Sequence, residues 1–364
     1  MSTNIALISA NNYKIPYPVY PLGVSYLATY LNKNLPDCSV EIFDFNIDSF
    51  DDCTRFLRSK KFDFIGISLR NIDDTNIFAK NNFILHYKKV MTIVRENSIA
   101  PVIIGGPGFS VFPEQIFAKL EPDYAVHGEG EESFRQLIVA LNSGNNRLER
   151  IDGLAYRNAS GNIQINERKE YISAPTLQVN DRLAEFYWNK SGMLNIQTKR
   201  GCPHNCIFCS YPLVDGSRVR VLDADTIVRN IEELHRGKGI NYLFFTDSVF
   251  NICNEYNREL AQKIIESGVK IKWGAYFSPG NLTRDDLALY QKSGLTHVEF
   301  GSDSFSDAQL EKYGKNFQFS HVLDSSNNCA QLGIFYAHFL ILGGYGETEA
   351  TLTEIGRASC RERV

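Results

Sequence analysis

The 364-residue chain is 43% apolar and 22% charged with a formal net charge of -4, an ordinary balance for a folded protein long enough to hold two cores. It has no basic surplus, which argues against nucleic acid or an acidic membrane surface as partner, and no apolar run approaching a membrane span. Met1-Ser2-Thr3-Asn4 leads straight into an apolar run without the regions of a signal peptide, so the 8 cysteines are expected in a reducing cytoplasm, with a small-molecule or lipid substrate still open.

Residues 1–150 alternate two kinds of segment. Runs rich in branched apolar residues at 5–8, 40–43, 64–68, 102–104 and 124–126 have the character of buried parallel strands. Between them lie helical periods. One opens near Pro21 and repeats Val24, Leu27, Ala28 and Leu31, and another repeats Phe83, Tyr87, Val90, Met91 and Val94. Such alternation predicts a doubly wound, flavodoxin-like sheet with a ligand crevice beyond the carboxyl ends of its strands.

Three of those ends carry informative loops. Ser68-Leu69 closes the third strand, Gly105-Gly106-Pro107-Gly108 follows the fourth, and His127-Gly128-Glu129-Gly130-Glu131 follows the fifth. Each alone reads equally well as a tight turn before a helix; together they offer a rim that a large flat ligand can approach closely. Asp44 and Asp63 flank strands and are expected to be solvated or capping. Residues 151–190 change period: two short runs around Asn158-Ala159-Ser160-Gly161-Asn162 predict a hairpin within a linker.

The second half, residues 191–353, opens with a strand at 194–198 and continues through strands at 242–245, 271–275, 297–300 and 336–341, with helical stretches at 227–235, 260–265, 285–291 and 322–332. Five strand-helix steps suit a partial parallel barrel with its site at the strand C-termini. After the first strand comes Lys199-Arg200-Gly201-Cys202-Pro203-His204-Asn205-Cys206-Ile207-Phe208-Cys209. Three thiols this close must converge on one metal centre or oxidise one another, and three cannot all pair. Structural zinc wants a fourth ligand, and Cys253 is far along the chain; an iron–sulfur cube held by three thiolates leaves one iron open.

The spacing C-x-x-x-C-x-aromatic-C after a strand resembles the signature of radical S-adenosylmethionine (SAM) enzymes. With the glycine rim, the Pro21-Leu22-Gly23 helix start and the Gly-Glu-Gly-Glu turn before it, the chain resembles their cobalamin-dependent members. The resemblance implies a 4Fe-4S cluster on Cys202, Cys206 and Cys209, with SAM on its open iron. It implies SAM contacts from Phe208, Asp247, Glu299, Ser302, Gly343 and Gly344, and cobalamin contacts from Ser68, Leu69, Gly105, Gly106, Gly128, Glu129 and Gly130. One departure stands out: the segment after the first strand, Ala10-Asn11-Asn12-Tyr13-Lys14-Ile15-Pro16, lacks the histidine that classical cobalamin domains supply to cobalt.

The implied chemistry is one-electron cleavage of SAM to methionine and a 5'-deoxyadenosyl radical, followed by methylation of an unreactive carbon, with a flavodoxin- or ferredoxin-type electron donor. A non-methylating rearrangement or cyclisation in lipid or secondary-metabolite assembly is the alternative. A non-catalytic cobalamin or iron–sulfur sensor would call for a partner- or DNA-binding element, and no basic patch suggests one. Residues 354–364 look like translated adapter sequence that breaks the preceding helical pattern, so the natural protein is expected to continue past about Thr353.

Overall fold

A computed structural model describes residues 3–74, 78, 81–144, 147–173 and 175–361. The chain forms two compact units, Met1–Ser191 with Leu213–Asp215, and Gly192–Pro212 with Gly216–Val364.

In the first unit, β1 (Thr3–Ser9), β2 (Cys38–Asp44), β3 (Phe64–Ser68), β4 (Val102–Gly105) and β5 (Tyr124–Val126) are parallel, and β6 (Leu154–Arg157) and β7 (Ile163–Ile165) are antiparallel additions; the order is β2-β1-β3-β4-β5-β6-β7. Both faces are covered, which explains the unbroken apolar runs. Ile5 and Leu7 pack with Val24, Leu31, Phe134 and Leu137, from helices Leu22–Asn34 and Glu131–Ser143. Ala6 and Ile8 turn the other way, onto Leu57, Tyr87 and Val90 of helices Phe50–Ser59 and Phe83–Asn97. This is the expected doubly wound arrangement.

Two expectations for this unit fail. Residues 151–190 are not a linker: β6 pairs with β5 in the register Ala125↔Ala155, and Leu154 and Tyr156 join one core while Ala155 joins the other. A strand buried on both faces extends the sheet. The helix Asp181–Ser191 likewise buries Leu183, Ala184 and Tyr187. Nor is Asp44 solvated. It is fully buried, with Tyr187 Oη donating to its carboxylate at 3.0 Å and Asn46 N donating at 2.7 Å, and burial pushes its carboxyl up to about 6. Asp63 accepts from Asn4 N at 2.8 Å, so its carboxylate ties the start of β3 to β1 rather than capping a helix.

The second unit is built on a parallel sheet of β8 (Leu194–Ile196), β11 (Tyr242–Phe245), β12 (Lys272–Phe277), β13 (Leu295–Asp303) and β14 (Phe335–Leu340), ordered β14-β13-β12-β11-β8, with β9 (Lys199–Arg200) and β10 (Arg220–Val221) as a small antiparallel ribbon. The helices Ala224–Lys238, Asn254–Glu266, Arg284–Lys292 and Phe319–Leu332 intervene, giving the partial barrel its strand-helix rhythm. Caps mark their limits: Asp223 accepts from Thr226 N at 2.8 Å, and Gly239, at φ 68, ends the same helix. Phe245, Phe250, Trp273, Phe277 and Tyr290 fill the layer between sheet and helices. The tail does not break helical pattern at 354; the helix Glu349–Arg361 runs on, since Glu, Arg and Ala are all good helix formers.

Candidate cofactor sites

The thiol loop leaves β9 through Gly201, whose φ of +84 and position, with an added Cβ 2.1 Å from the Arg218 carbonyl, admit only glycine. Cys202 N donates to Gly216 O at 3.1 Å and Cys209 N to Cys206 O at 3.1 Å, which folds the loop back on itself. A second segment braces it: Ile207 N donates to Tyr313 O at 3.2 Å, and Gly314 (φ +71) lies so close that a Cβ there would meet Asn205 O at 2.7 Å. Cys202 is buried, Cys206 and Cys209 are half-buried, and all three are free. Burial pushes the Cys202 and Cys206 thiols up, and the Lys315 cation opposes this at both.

Lys315 was not legible in the sequence as a site residue. Its ammonium pairs with Asp303, both side chains 10% exposed, and stands 5.3 Å from the Phe208 ring, which meets Tyr313 edge-on at 5.6 Å. Among the described residues no three His, Cys, Asp or Glu side chains stand around a common metal position. Three free thiols from one loop, with an adjacent cation, suit a cluster of soft, anionic character.

The predicted SAM residues divide. Glu299 lies on the sheet face opposite the helices, 3.5 Å from His297 Nε2, whose ring Tyr242 also reaches; a Cβ on Gly274 would collide with that ring at 2.1 Å. Gly343 has φ +75, and Gly344 leaves room for Tyr313, whose hydroxyl would stand 1.9 Å from an added Cβ. Ser302 and Asp247 have buried side chains with partners inside the protein. Ser302 lies within β13, is fully buried and bonds His338 Nδ1 at 2.7 Å on the helix side. Asp247 is also fully buried and spent on Thr198 and Lys199. Ending a strand does not by itself expose a side chain.

On the first unit's rim, the loops after β3 and β4 are stitched together: Leu69 N donates to Gly105 O at 2.8 Å and Gly108 N to Leu69 O at 2.9 Å. Gly106 (φ +94) sits against Leu69 O and Ser68 Oγ, where a Cβ would lie 2.7 and 2.9 Å away. The Leu69 side chain is in the core and Glu129 is buried, its Oε2 accepting from Ile172 N at 3.2 Å, so neither side chain is offered to a ligand; only their backbones are. Gly130 opens onto free space at the start of its helix. Behind the rim Arg168 donates to His127 O and Glu129 O, a contact no local pattern announces. His86, brought beside the segment after β1, has Nε2 2.8 Å from Ala10 O and Nδ1 3.3 Å from Asn12 Nδ2, so both nitrogens are occupied within the protein. A rim of main chain and glycine fits a broad planar corrin.

The radical SAM superfamily model matches residues 196–358 and the B12 binding domain model residues 8–138. The chain is 27% identical over 348 residues to an uncharacterized methyltransferase of Pyrococcus horikoshii, covering 91% of this chain and 72% of that one. It is 24% identical over 292 residues to the anaerobic magnesium-protoporphyrin IX monomethyl ester cyclase of Rubrivivax gelatinosus, covering 74% and 51%. The radical SAM methyltransferase TsrM of Kitasatospora setae, solved with tryptophan and a SAM analogue, has the same fold: TM-score 0.90, 23% identity, 99% of this chain and 71% of that one. No described helix is long and apolar enough to cross a membrane. The chain belongs to the radical SAM enzymes that carry a B12-binding domain, with a 4Fe-4S cluster, S-adenosylmethionine and cobalamin as its cofactors.

Proposed function

We propose that this enzyme transfers a methyl group to an unreactive carbon of a small-molecule or lipid substrate. One observation carries the reading: a B12-binding domain over residues 8–138 and a radical SAM domain over 196–358 put a methyl carrier and a radical source on one polypeptide. When bound, these groups supply reductive cleavage of SAM and a transferable methyl.

The chain's own residues do the holding. Cys202, Cys206 and Cys209 ligate the cluster, and Lys315 places a fixed cation near Cys202 and Cys206 that opposes the burial raising their thiols. Phe208 covers one side, held by Tyr313. Glu299, Gly343 and Gly344 receive SAM, and the backbone of Ser68, Leu69, Gly105 and Gly106 and of Gly128 to Gly130 receives the corrin. The electron comes from a flavodoxin- or ferredoxin-type donor, and the free thiols of the described cysteines suit the reducing cytoplasm in which such donors work.

The cyclase relative favours one second reading, a cobalamin-dependent carbon-skeleton step without methyl transfer. Incubating anaerobically reconstituted enzyme with methyl-labelled SAM, reductant and candidate substrates separates the two. Label in the product supports the methyltransferase; deoxyadenosine and an altered product without label support the skeleton step. Alanine at any of the three cysteines must abolish deoxyadenosine formation, and normal formation would end both readings.

A further inference from the structure

We infer that Thr198, Lys199 and Asp247 form a buried latch that positions the cluster-binding loop, and that Asp247 is a positioning residue rather than a SAM contact. The inference rests on the assignment of Cys202, Cys206 and Cys209 as cluster ligands.

Asp247 follows β11 and is 0% exposed. A carboxylate offers about four acceptor positions, and the two residues ahead of the loop fill them. Oδ1 accepts from Thr198 N at 2.7 Å and Lys199 N at 3.1 Å; Oδ2 accepts from Thr198 Oγ1 at 2.5 Å and Lys199 Nζ at 2.7 Å. Nothing remains for an incoming ammonium group.

The lysine is equally committed. Only 1% exposed, its ammonium also donates to Thr198 Oγ1 at 2.9 Å and lies 4.4 Å from the Phe250 ring and 5.6 Å from the Tyr256 ring. Tyr256 in turn donates to Thr198 O at 3.2 Å. The partners of the Asp247 carboxylate lie on Thr198 and Lys199, just before Gly201 and Cys202. A buried ion pair with all its hydrogen bonds made is a poor source of stability but a sharp specifier of geometry. Here it fixes the residue from which the loop departs, and so the direction in which Cys202 is presented. Groups behind metal ligands act in this way, and their loss weakens metal retention.

The test uses the full chain, reconstituted anaerobically, as wild type, Asp247→Asn, Lys199→Met and Thr198→Val. The asparagine keeps the Oδ1 contacts and the shape but removes the charge, and Thr198→Val removes one hydroxyl only, so a folded variant is in hand even if another fails by circular dichroism. Iron per chain and the rate of cluster loss to a ferrous chelator are read by absorbance. The paramagnetic resonance spectrum of the reduced cluster is recorded with and without SAM. The latch predicts roughly tenfold faster cluster loss in the charge-removing variants and a smaller increase in Thr198→Val, while the iron that remains still shows the SAM-induced spectral change. Cluster retention equal to wild type overturns the inference. So does a variant that keeps its iron but no longer responds to SAM, which would return Asp247 to the substrate side. A wild-type chain that takes up no cluster overturns the cluster assignment itself and the latch with it.

Discussion

The guanidinium of Arg168 donates to the His127 carbonyl through both Nε (3.1 Å) and an Nη (2.7 Å), and that same Nη reaches Glu129 O at 2.6 Å and Ser133 Oγ at 3.1 Å. One side chain thus ties the segment after β7 to the turn that presents Gly128 and Gly130. Arg168→Met keeps the aliphatic stem and strands these acceptors. It is expected to destabilise the first unit by about 2–3 kcal/mol and to weaken hydroxocobalamin binding by roughly tenfold, about 1.4 kcal/mol. Urea unfolding and an absorbance titration measure both, and unchanged affinity would separate the turn from the corrin.

Two glycines of the same rim make a contrast. At Gly106 φ is +94 and an added Cβ would stand 2.7 Å from Leu69 O; at Gly130 φ is -93 and the space is open. Gly106→Ala should therefore cost about 2–3 kcal/mol of stability through strain and displaced backbone. Gly130→Ala should leave stability within about 0.5 kcal/mol but weaken hydroxocobalamin binding, because the methyl occupies room the proposed corrin needs. Full affinity in a stable Gly130→Ala chain removes that residue from the cobalamin site.

The elements of both units were legible because their signals are local. Ile5 to Ile8 announces a strand buried on both sides, and Val24, Leu27, Ala28 and Leu31 announce one helical face. The thiol loop was legible for the same reason. What failed is non-local. Lys199 and Asp247 are 48 residues apart, Asp44 and Tyr187 143 apart, and Arg168 and His127 41 apart. From the sequence alone each aspartate is a polar residue at a strand end, where solvent or a ligand is the default partner. The hairpin of β6 and β7 is legible, but its place in the sheet is not, because an antiparallel addition to a parallel sheet depends on an edge that no local pattern reveals.

Asp44 gives the first unit a definite acid-side behaviour. Its carboxyl ordinarily titrates near about 3.9, and burial raises it to about 6 in the folded chain. Between those values the folded state holds more protons than the unfolded, so stability is fully present below about 4 and falls as pH rises through about 6, on the order of 3 kcal/mol. Asp44→Asn should be flat over that window and gain on wild type as pH rises. The two tryptophans lie one in each unit, Trp188 and Trp273, so Trp273→Phe leaves a reporter for the first unit. Parallel pH profiles of the two chains would show that Asp44 does not titrate in this way.

His338 predicts the opposite slope in the second unit. Ser326 spends its only hydroxyl proton on Val322 O at 2.6 Å, so it accepts from His338 Nε2–H at 3.0 Å; Nδ1 is then the acceptor for Ser302 Oγ–H at 2.7 Å. This arrangement holds only for the neutral ring, and burial between Phe300 and Phe305 lowers its pKa to about 4. The unfolded chain takes its proton near about 6.5, so the unfolded state binds more protons between about 4 and 6.5. Stability is present above that range and is lost as pH falls through it, on the order of 3 kcal/mol by about pH 4. His338→Gln, which keeps one donor and one acceptor but cannot charge, should lose less on acidification. Urea unfolding of chains carrying Trp188→Phe, which leaves Trp273 as the reporter, measures the slope; equal acid sensitivity with histidine and glutamine would place the titrating group elsewhere in the unit.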